Sequence, residues 1–329
     1  RRVLFRSVTS EANLQECISK VCALEVLHQD VVQEICKQFI RVCTREQNVV
    51  PIDGPVTIVG CLNGQLHDLL NIFDIAGNIP YTNYLFLGDY VNFGMYGLEL
   101  YIVLMCFKIL HPTKVVMLRG MNEIKAFSDI GGFHSECFNK YGNEVVYKII
   151  LETFNYLPIA ADVQGKYFCS HGGVLPDISI NNLQVLSRVK NLKKEDTLTW
   201  WIIAQPKEEK YSKYFRWFER SDPYTFTEAD VETFIQRNPS KNGQKFKMVI
   251  NTNSLQPLGQ AISDNQRVTT IWSAADFLGE FNNQGCYIDI SSSGKLSSIQ
   301  FCAPPRSVLP VNWKPLHEAL PKGVPDFLA

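Results

Sequence analysis

A chain of 329 residues that is 46% hydrophobic and 20% charged, with a formal net charge of −1, has the make-up of an ordinary soluble globular protein. That balance gives no general attraction to nucleic acid or to an anionic membrane, and no apolar run approaches the roughly 18 residues of a spanning helix. Ten cysteines, scattered and without a CxxC pair, point to reduced intracellular thiols rather than a disulfide framework.

The opening residues 1–7, RRVLFRS, resemble the in-frame translation of a sequencing-library adapter and are set aside as an artefact. Arg1, Arg2 and Arg6 are therefore not read as a targeting region. From residue 11 to about 45 apolar side chains recur at helical spacing (Leu14, Ile18, Val21, Leu24, Leu27, Val31, Ile35, Phe39, Val42), which predicts amphipathic helices laid on the body of the protein. Residues 49–55 read as a turn-rich entry to a buried strand at 56–59. A helix over 67–76, a strand over 84–87, a long helix over 97–110 and a strand over 115–118 follow. Helices are then predicted over 133–141 and 144–156, and a hairpin of strands 159–163 and 166–169 turns at 164–165.

Beyond His171 the chain is polar over 185–196 and interleaves aromatics with Lys and Glu over 208–218. A helix over 227–237, strands over 247–251 and 268–272, a turn at 291–294 and a Pro-rich tail over 304–329 complete the pattern. Alternating strands and helices predict a layered α/β architecture, and the absence of repeats or a clear linker predicts one domain over 8–303.

Strand-to-loop units recur at 56–68 (VTIVGCLNGQLHD), 85–94 (LFLGDYVNFG), 115–123 (VVMLRGMNE) and 167–173 (YFCSHGG). Each carries chemistry-bearing residues past the carboxyl end of a strand, where open α/β sheets place their sites. In this order the units resemble the motifs of the phosphoprotein phosphatase family, the two-metal serine/threonine protein phosphatases, and most closely its type 2A catalytic subunits. VGCLNGQLHDLL is similar to V-C-G-D-x-H-G-Q-x-x-D-L, NYLFLGDYVNFG to Y-L-F-x-G-D-Y-V-D-R-G, and LRGMNE to L-R-G-N-H-E. GFHSECFNKYG, FCSHGGVLPDI, WSAADF, GEFNNQG and the final VPDFLA extend the resemblance from about Glu11 to the end of the chain. The fold it implies is the calcineurin-like metallophosphoesterase sandwich, four αββα layers with two central mixed sheets flanked by helices.

The chemistry the resemblance implies uses two Mn, Fe or Zn ions that share a bridging Asp and a water nucleophile, a His–Asp general acid, and arginines that clamp the phosphate. On this sequence the bridging Asp is Asp89 and the HGG ligand is His171, while the other ligand positions hold Cys61, Asn63, Met121 and Asn253. The general-acid position is Asn122, its carboxylate partner is Asn92, and one phosphate clamp is Phe93. Arg220 stands at the second clamp and Phe277 at a late tyrosine position. Neither ion keeps a full set of ligands and no residue is left to act as catalyst.

The sequence is therefore read as a catalytically inactive homologue, a pseudophosphatase that binds proteins or phosphoproteins. Its alternative is a residually active metal-dependent phosphatase acting on phosphoserine and phosphothreonine. No cofactor is expected; if one is bound, it is a single weakly held divalent ion, since zinc accepts Cys, His and carboxylate together and Cys61, Asp89 and His171 supply them. The plainer reading of Cys61 is a small buried thiol. The surviving Asp89 is expected to pair with Arg119, Arg220 or His171 and to close a polar network, with Glu123 supporting the loop. His67, Asp68, His111 and His134 are read as structural. The implied partners are phosphatase scaffold or regulatory subunits or phosphoproteins, with no nucleic acid and no membrane, in the cytoplasm or nucleus. The terminal Phe327 and Ala329 replace a Tyr and a Leu that the family's tail presents for modification.

Overall fold

The structure is a computed structural model that describes residues 10–207 and 225–304. Two sheets stand face to face, and the alternation of side chains along their strands decides the layering. In Val56–Val59 and Tyr84–Phe86, Ile58 and Leu85 point to one side while Val59, Tyr84 and Phe86 point to the other. The first set meets Val163, Cys169, Ile250, Ile271 and Ile288 in a dry seam between the sheets. The second set meets the helices Glu11–Cys22, Gln29–Cys43, Gly97–Leu110 and Val145–Phe154. On the far face, Ala160, Phe168 and Val249 pack against Thr197–Ile203 and Glu228–Arg237 through Trp201, Ile202, Val231 and Phe234. The order of layers is helix, sheet, sheet, helix, as the sequence resemblance implied.

The first sheet runs Leu296–Phe301, Gly285–Ile290, Val56–Val59, Tyr84–Phe86, Val115–Met117, the last three parallel and the first two antiparallel. The second runs Val49–Ile52, Ala160–Val163, Tyr167–Ser170, Met248–Asn251, Val268–Ile271, Gln260–Ile262. Its central three, from Tyr167–Ser170 to Val268–Ile271, are parallel. Parallel strands point their carboxyl ends the same way, so both sheets deliver loops to one rim. There they are stitched together: Cys61 bridges to Trp272, and the Ser273 hydroxyl accepts from Gly60 N–H at 2.8 Å while donating to the Cys286 carbonyl at 2.7 Å.

The predicted run of helix over 11–45 is two helices. Ser10 caps the first by accepting from Asn13 N–H, and the His28 ring caps the second by accepting from Asp30 N–H. Gly97–Leu110 is buried around most of its circumference, which explains why it lacks a polar face. Its Lys108 is wholly buried, with its ammonium on the Glu46 carboxylate and on the carbonyls of Pro112 (3.0 Å) and Val115 (2.6 Å).

One expectation needs correcting, and two other stretches gain detail. Residues 49–52, read as a turn-rich entry, are a strand; Pro51 is tolerated because the strand lies on the sheet edge. The turn at 291–294 joins two paired strands, the second of which, LSSIQF, is too polar to stand out. The polar stretch 185–196 is flanked by short helices, Ile180–Val185 and Thr197–Ile203. None of the described helices is long and apolar enough to cross a membrane.

Ile58 is fully buried in the seam, registered between Leu85 and Ile288. Ile58→Ala should lower the unfolding free energy by about 2–5 kcal/mol, measured by denaturant melts, because the packed sheets cannot collapse around the space.

Candidate functional site

Each loop at the shared rim brings its residue by following a parallel strand. Val56–Val59 leads to Cys61 and Asn63, Tyr84–Phe86 to Asp89, Val115–Met117 to Met121 and Asn122, Tyr167–Ser170 to His171, and Met248–Asn251 to Asn253. The turns are tight: Asn63, Asp89, Asn92, Phe93 and Asn253 all have positive φ, between 45° and 74°. Asn and Asp enter this left-handed region at low cost, but for a bulky Phe93 it is strained. A glycine is required at 120, where a Cβ would lie 2.2 Å from Asp89 N.

Asp89 is at the centre. Its Oδ1 accepts from Asn122 N–H at 2.8 Å and lies 3.3 Å from His171 Nε2, and its Oδ2 lies 3.7 Å from Cys61 Sγ. The donor atoms of Cys61, Asp89 and His171 fall within 4.8 Å of one another, all buried. His171 places Nδ1 on the Leu87 carbonyl at 3.0 Å, while Nε2 has no hydrogen bond. Burial pushes the imidazole down to about 4, against the raising influence of Glu123, the Leu87 carbonyl and the Asn253 side chain. Burial, with Asp89 nearby, also raises the Cys61 thiol well above its ordinary value, so on its own it stays protonated.

The positions the resemblance gave to a general acid, its partner and a metal ligand form a chain of amides. Asn92 Nδ2 donates to Asn122 Oδ1 at 2.9 Å, and Asn122 Nδ2 donates to Asn63 Oδ1 at 2.8 Å and to the Val91 carbonyl at 3.0 Å. Asn92 Oδ1 accepts from Phe133 N–H at 3.2 Å. Amides neither gain nor lose a proton in the physiological range, so the chain fixes the loops without carrying acid–base chemistry. Phe93 lies edge-on to Phe277, ring centres 5.8 Å apart, and Phe277 in turn meets Trp272 at 5.2 Å. With Cys61, Leu255 and Leu278 they form an apolar cluster where the resemblance implied a phosphate clamp.

Of the partners expected for Asp89, His171 is in place and Arg119 is not. Arg119 donates to the Glu123 carbonyl at 3.1 Å and to Asn155 Oδ1 at 3.1 Å, on the other side of the loop. Arg220, the aromatic and basic run around it, residues 1–7 and the terminal Phe327 and Ala329 lie outside the described residues. Glu123 supports the loop, as expected, through three backbone groups: Asp89 N–H at 2.8 Å, Tyr90 N–H at 2.9 Å and Gly120 N–H at 3.0 Å. Thr252, missed in the sequence, accepts from Cys61 N–H at 3.0 Å and sets its hydroxyl 3.0 Å from Cys61 Sγ. The polar run INTNS after a strand was the available signal.

A sequence profile described as calcineurin-like phosphoesterase (Metallophos) matches residues 54–246. The chain is 33% identical over 304 residues to a catalytic subunit of protein phosphatase 2A from Dictyostelium discoideum, covering 91% of this chain and 94% of that one. The chain belongs to the phosphoprotein phosphatase family. It is also 30% identical over 290 residues to the PP2A-like serine/threonine-protein phosphatase PPG1 of Saccharomyces cerevisiae, covering 85% of this chain and 77% of that one. A solved serine/threonine phosphatase from the same yeast superposes with a TM-score of 0.77 at 23% identity, over 88% of this chain and 96% of that one, which speaks for the fold alone.

The two-ion centre of the phosphoprotein phosphatase family can be tested against the side chains present. Met121 is buried in the neighbouring apolar cluster with Ile124 and Ile202. Asn63 Oδ1 is taken by Asn122, and Asn253 Nδ2 reaches toward the Ile203 and Ala204 carbonyls at 3.3 and 3.4 Å. Asp89 is the sole carboxylate among the ligand positions, so two closely spaced dications would lack the negative charge and the oxygen donors they need. These residues do not fit a pair of ions.

Asp89→Ala should lower stability by about 1–3 kcal/mol in denaturant melts, because it leaves the buried Asn122 N–H without an acceptor. A second outcome concerns Asp68, buried beside Gln65, whose Nε2 donates to it at 2.5 Å. Burial raises Asp68 from 3.8 to about 8, against the lowering effect of Gln65. Between those values the unfolded chain releases a proton that the folded chain keeps, so stability falls as pH rises through the window. Asp68→Asn should therefore raise the melting temperature at pH 8 and leave it near the parent value at pH 4.

Proposed function

We propose that this chain is a phosphatase-fold protein that binds rather than hydrolyses, in the cytoplasm, competing with active relatives for scaffold or regulatory subunits. The observation that carries this is the amide chain Asn92–Asn122–Asn63. A leaving alkoxide needs a proton at the moment the phosphorus–oxygen bond breaks, and Asn122 has none to give. The Phe93–Phe277 contact supports the same reading, since it puts a buried apolar pair where a phosphate would need a cation.

The test has two arms on the full chain. Turnover of an aryl phosphate in manganese buffer should not exceed the blank, and a pull-down against phosphatase scaffold and regulatory subunits should retain at least one of them. Hydrolysis that Asp89→Asn abolishes would instead establish a residually active phosphatase acting on phosphoserine and phosphothreonine.

A further inference from the structure

We infer that Cys61, Asp89 and His171 together hold one thiophilic divalent ion, zinc being the best fit, where the family's pair of ions does not fit. A thiolate, an imidazole and a carboxylate are the three ligand types zinc accepts, and zinc bonds of about 2.0–2.3 Å make tetrahedron edges of roughly 3.3–3.6 Å. The observed separations are 3.3 Å from His171 Nε2 to Asp89 Oδ1 and 3.7 Å from Cys61 Sγ to Asp89 Oδ2. The two contacts use different oxygens of Asp89, and the three donors lie within 4.8 Å of one another, so binding would draw them inward onto a common centre.

Two independent features point to a ligand. His171 is 1% exposed, and its Nε2 faces the Asp89 carboxylate at 3.3 Å without a hydrogen bond of good geometry, a poorly satisfied state for a buried polar atom. Its other nitrogen is on the Leu87 carbonyl at 3.0 Å, which selects the tautomer that leaves the Nε2 lone pair available to a metal. Asp89 is buttressed in the same manner by Asn122 N–H at 2.8 Å, and Cys61 Sγ packs 3.0 Å from the Thr252 hydroxyl, which the Ile271 carbonyl holds at 2.7 Å. Outer partners of this kind orient ligands around metal centres.

On binding, the S–H bond of Cys61 gives way to a sulfur–zinc bond and the proton passes to solvent, with no change of oxidation state. Cys61 and His171 follow strands of different sheets, so the ion would clamp the two sheets at their shared rim. The inference does not rest on the proposed lack of hydrolysis. A single ion without a general acid restores no turnover, and every readout below is of binding.

The experiment strips the full chain of metal under reducing conditions, then titrates zinc against a competing chelator and cobalt by absorption. One zinc per chain is expected, with a thiolate-to-cobalt charge-transfer band and a melting temperature that rises with zinc and falls with chelator. Cys61→Ser should abolish the band. It should also weaken zinc binding by more than the roughly 10–100-fold that loss of an outer partner costs. Cys302→Ser, at an exposed thiol, should change neither. Should Cys61→Ser fail to fold, His171→Gln with the parent cobalt spectrum decides the matter. No bound zinc, two ions per chain, no thiolate band, or a band that survives Cys61→Ser would each overturn the assignment.

Discussion

The carboxylate of Glu123 holds the rim together. By accepting the N–H groups of Asp89, Tyr90 and Gly120, it ties the loop after Tyr84–Phe86 to the loop after Val115–Met117. Burial, and then the nearness of Asp89, pushes Glu123 up to about 7, opposed by His171. Such a group is tolerable because three donors surround it. Asp89 is turned inward at positive φ, and the Glu123 carboxylate fixes its N–H there. Everything at the rim, from the amide chain to the His171 contact, takes its position from Asp89.

Above that frame the site divides into two halves of different character. One is the neutral chain of Asn92, Asn122 and Asn63, saturated with hydrogen bonds except at Asn63 Nδ2. The other is the trio of Cys61, Asp89 and His171, charged or chargeable and with an unsatisfied nitrogen. The aromatic cluster of Phe93, Trp272 and Phe277 lies against Cys61. Neutral amides in one half and a mixed thiol, imidazole and carboxylate set in the other distinguish this rim from a cradle of carboxylate and imidazole ligands for two ions.

Much of this was legible in the sequence, and the failures have physical reasons. The continuous apolar runs VTIV and YLF, and helical spacing from Leu14 to Phe39, marked the layers, because strands covered on both sides are apolar on both faces and helices covered on one side are apolar at helical spacing. Pro51 disguised an edge strand and the serines of LSSIQF disguised another, since edge strands need little hydrophobicity. At the site, ordered motifs located Cys61, Asn63, Asp89, Asn92, Asn122 and His171 by position. What they could not reveal was direction. Arg119 turns to Asn155 rather than Asp89, and Met121 sinks into the neighbouring core. The convergence of Cys61 and His171 on Asp89, by contrast, was already legible in the sequence. Side-chain aim is set by packing with residues distant in the chain, and no local spacing encodes it.

The amide chain has a consequence for the history of the protein. A path from this rim to a two-ion centre does not open one residue at a time. A histidine at 122 alone would enter a pocket whose neighbours, Asn92 and Asn63, offer no carboxylate to balance its charge. An aspartate at 61 or 92 alone would add another buried carboxylate to loops that already enclose Asp89 and Glu123, before a cation is present to neutralise it. Each such single change would bury a charge that its neighbours do not balance. The hydrogen-bonded amides therefore couple their positions: residues 63, 92 and 122 can exchange neutral partners one at a time, whereas charge enters the rim only by concerted change.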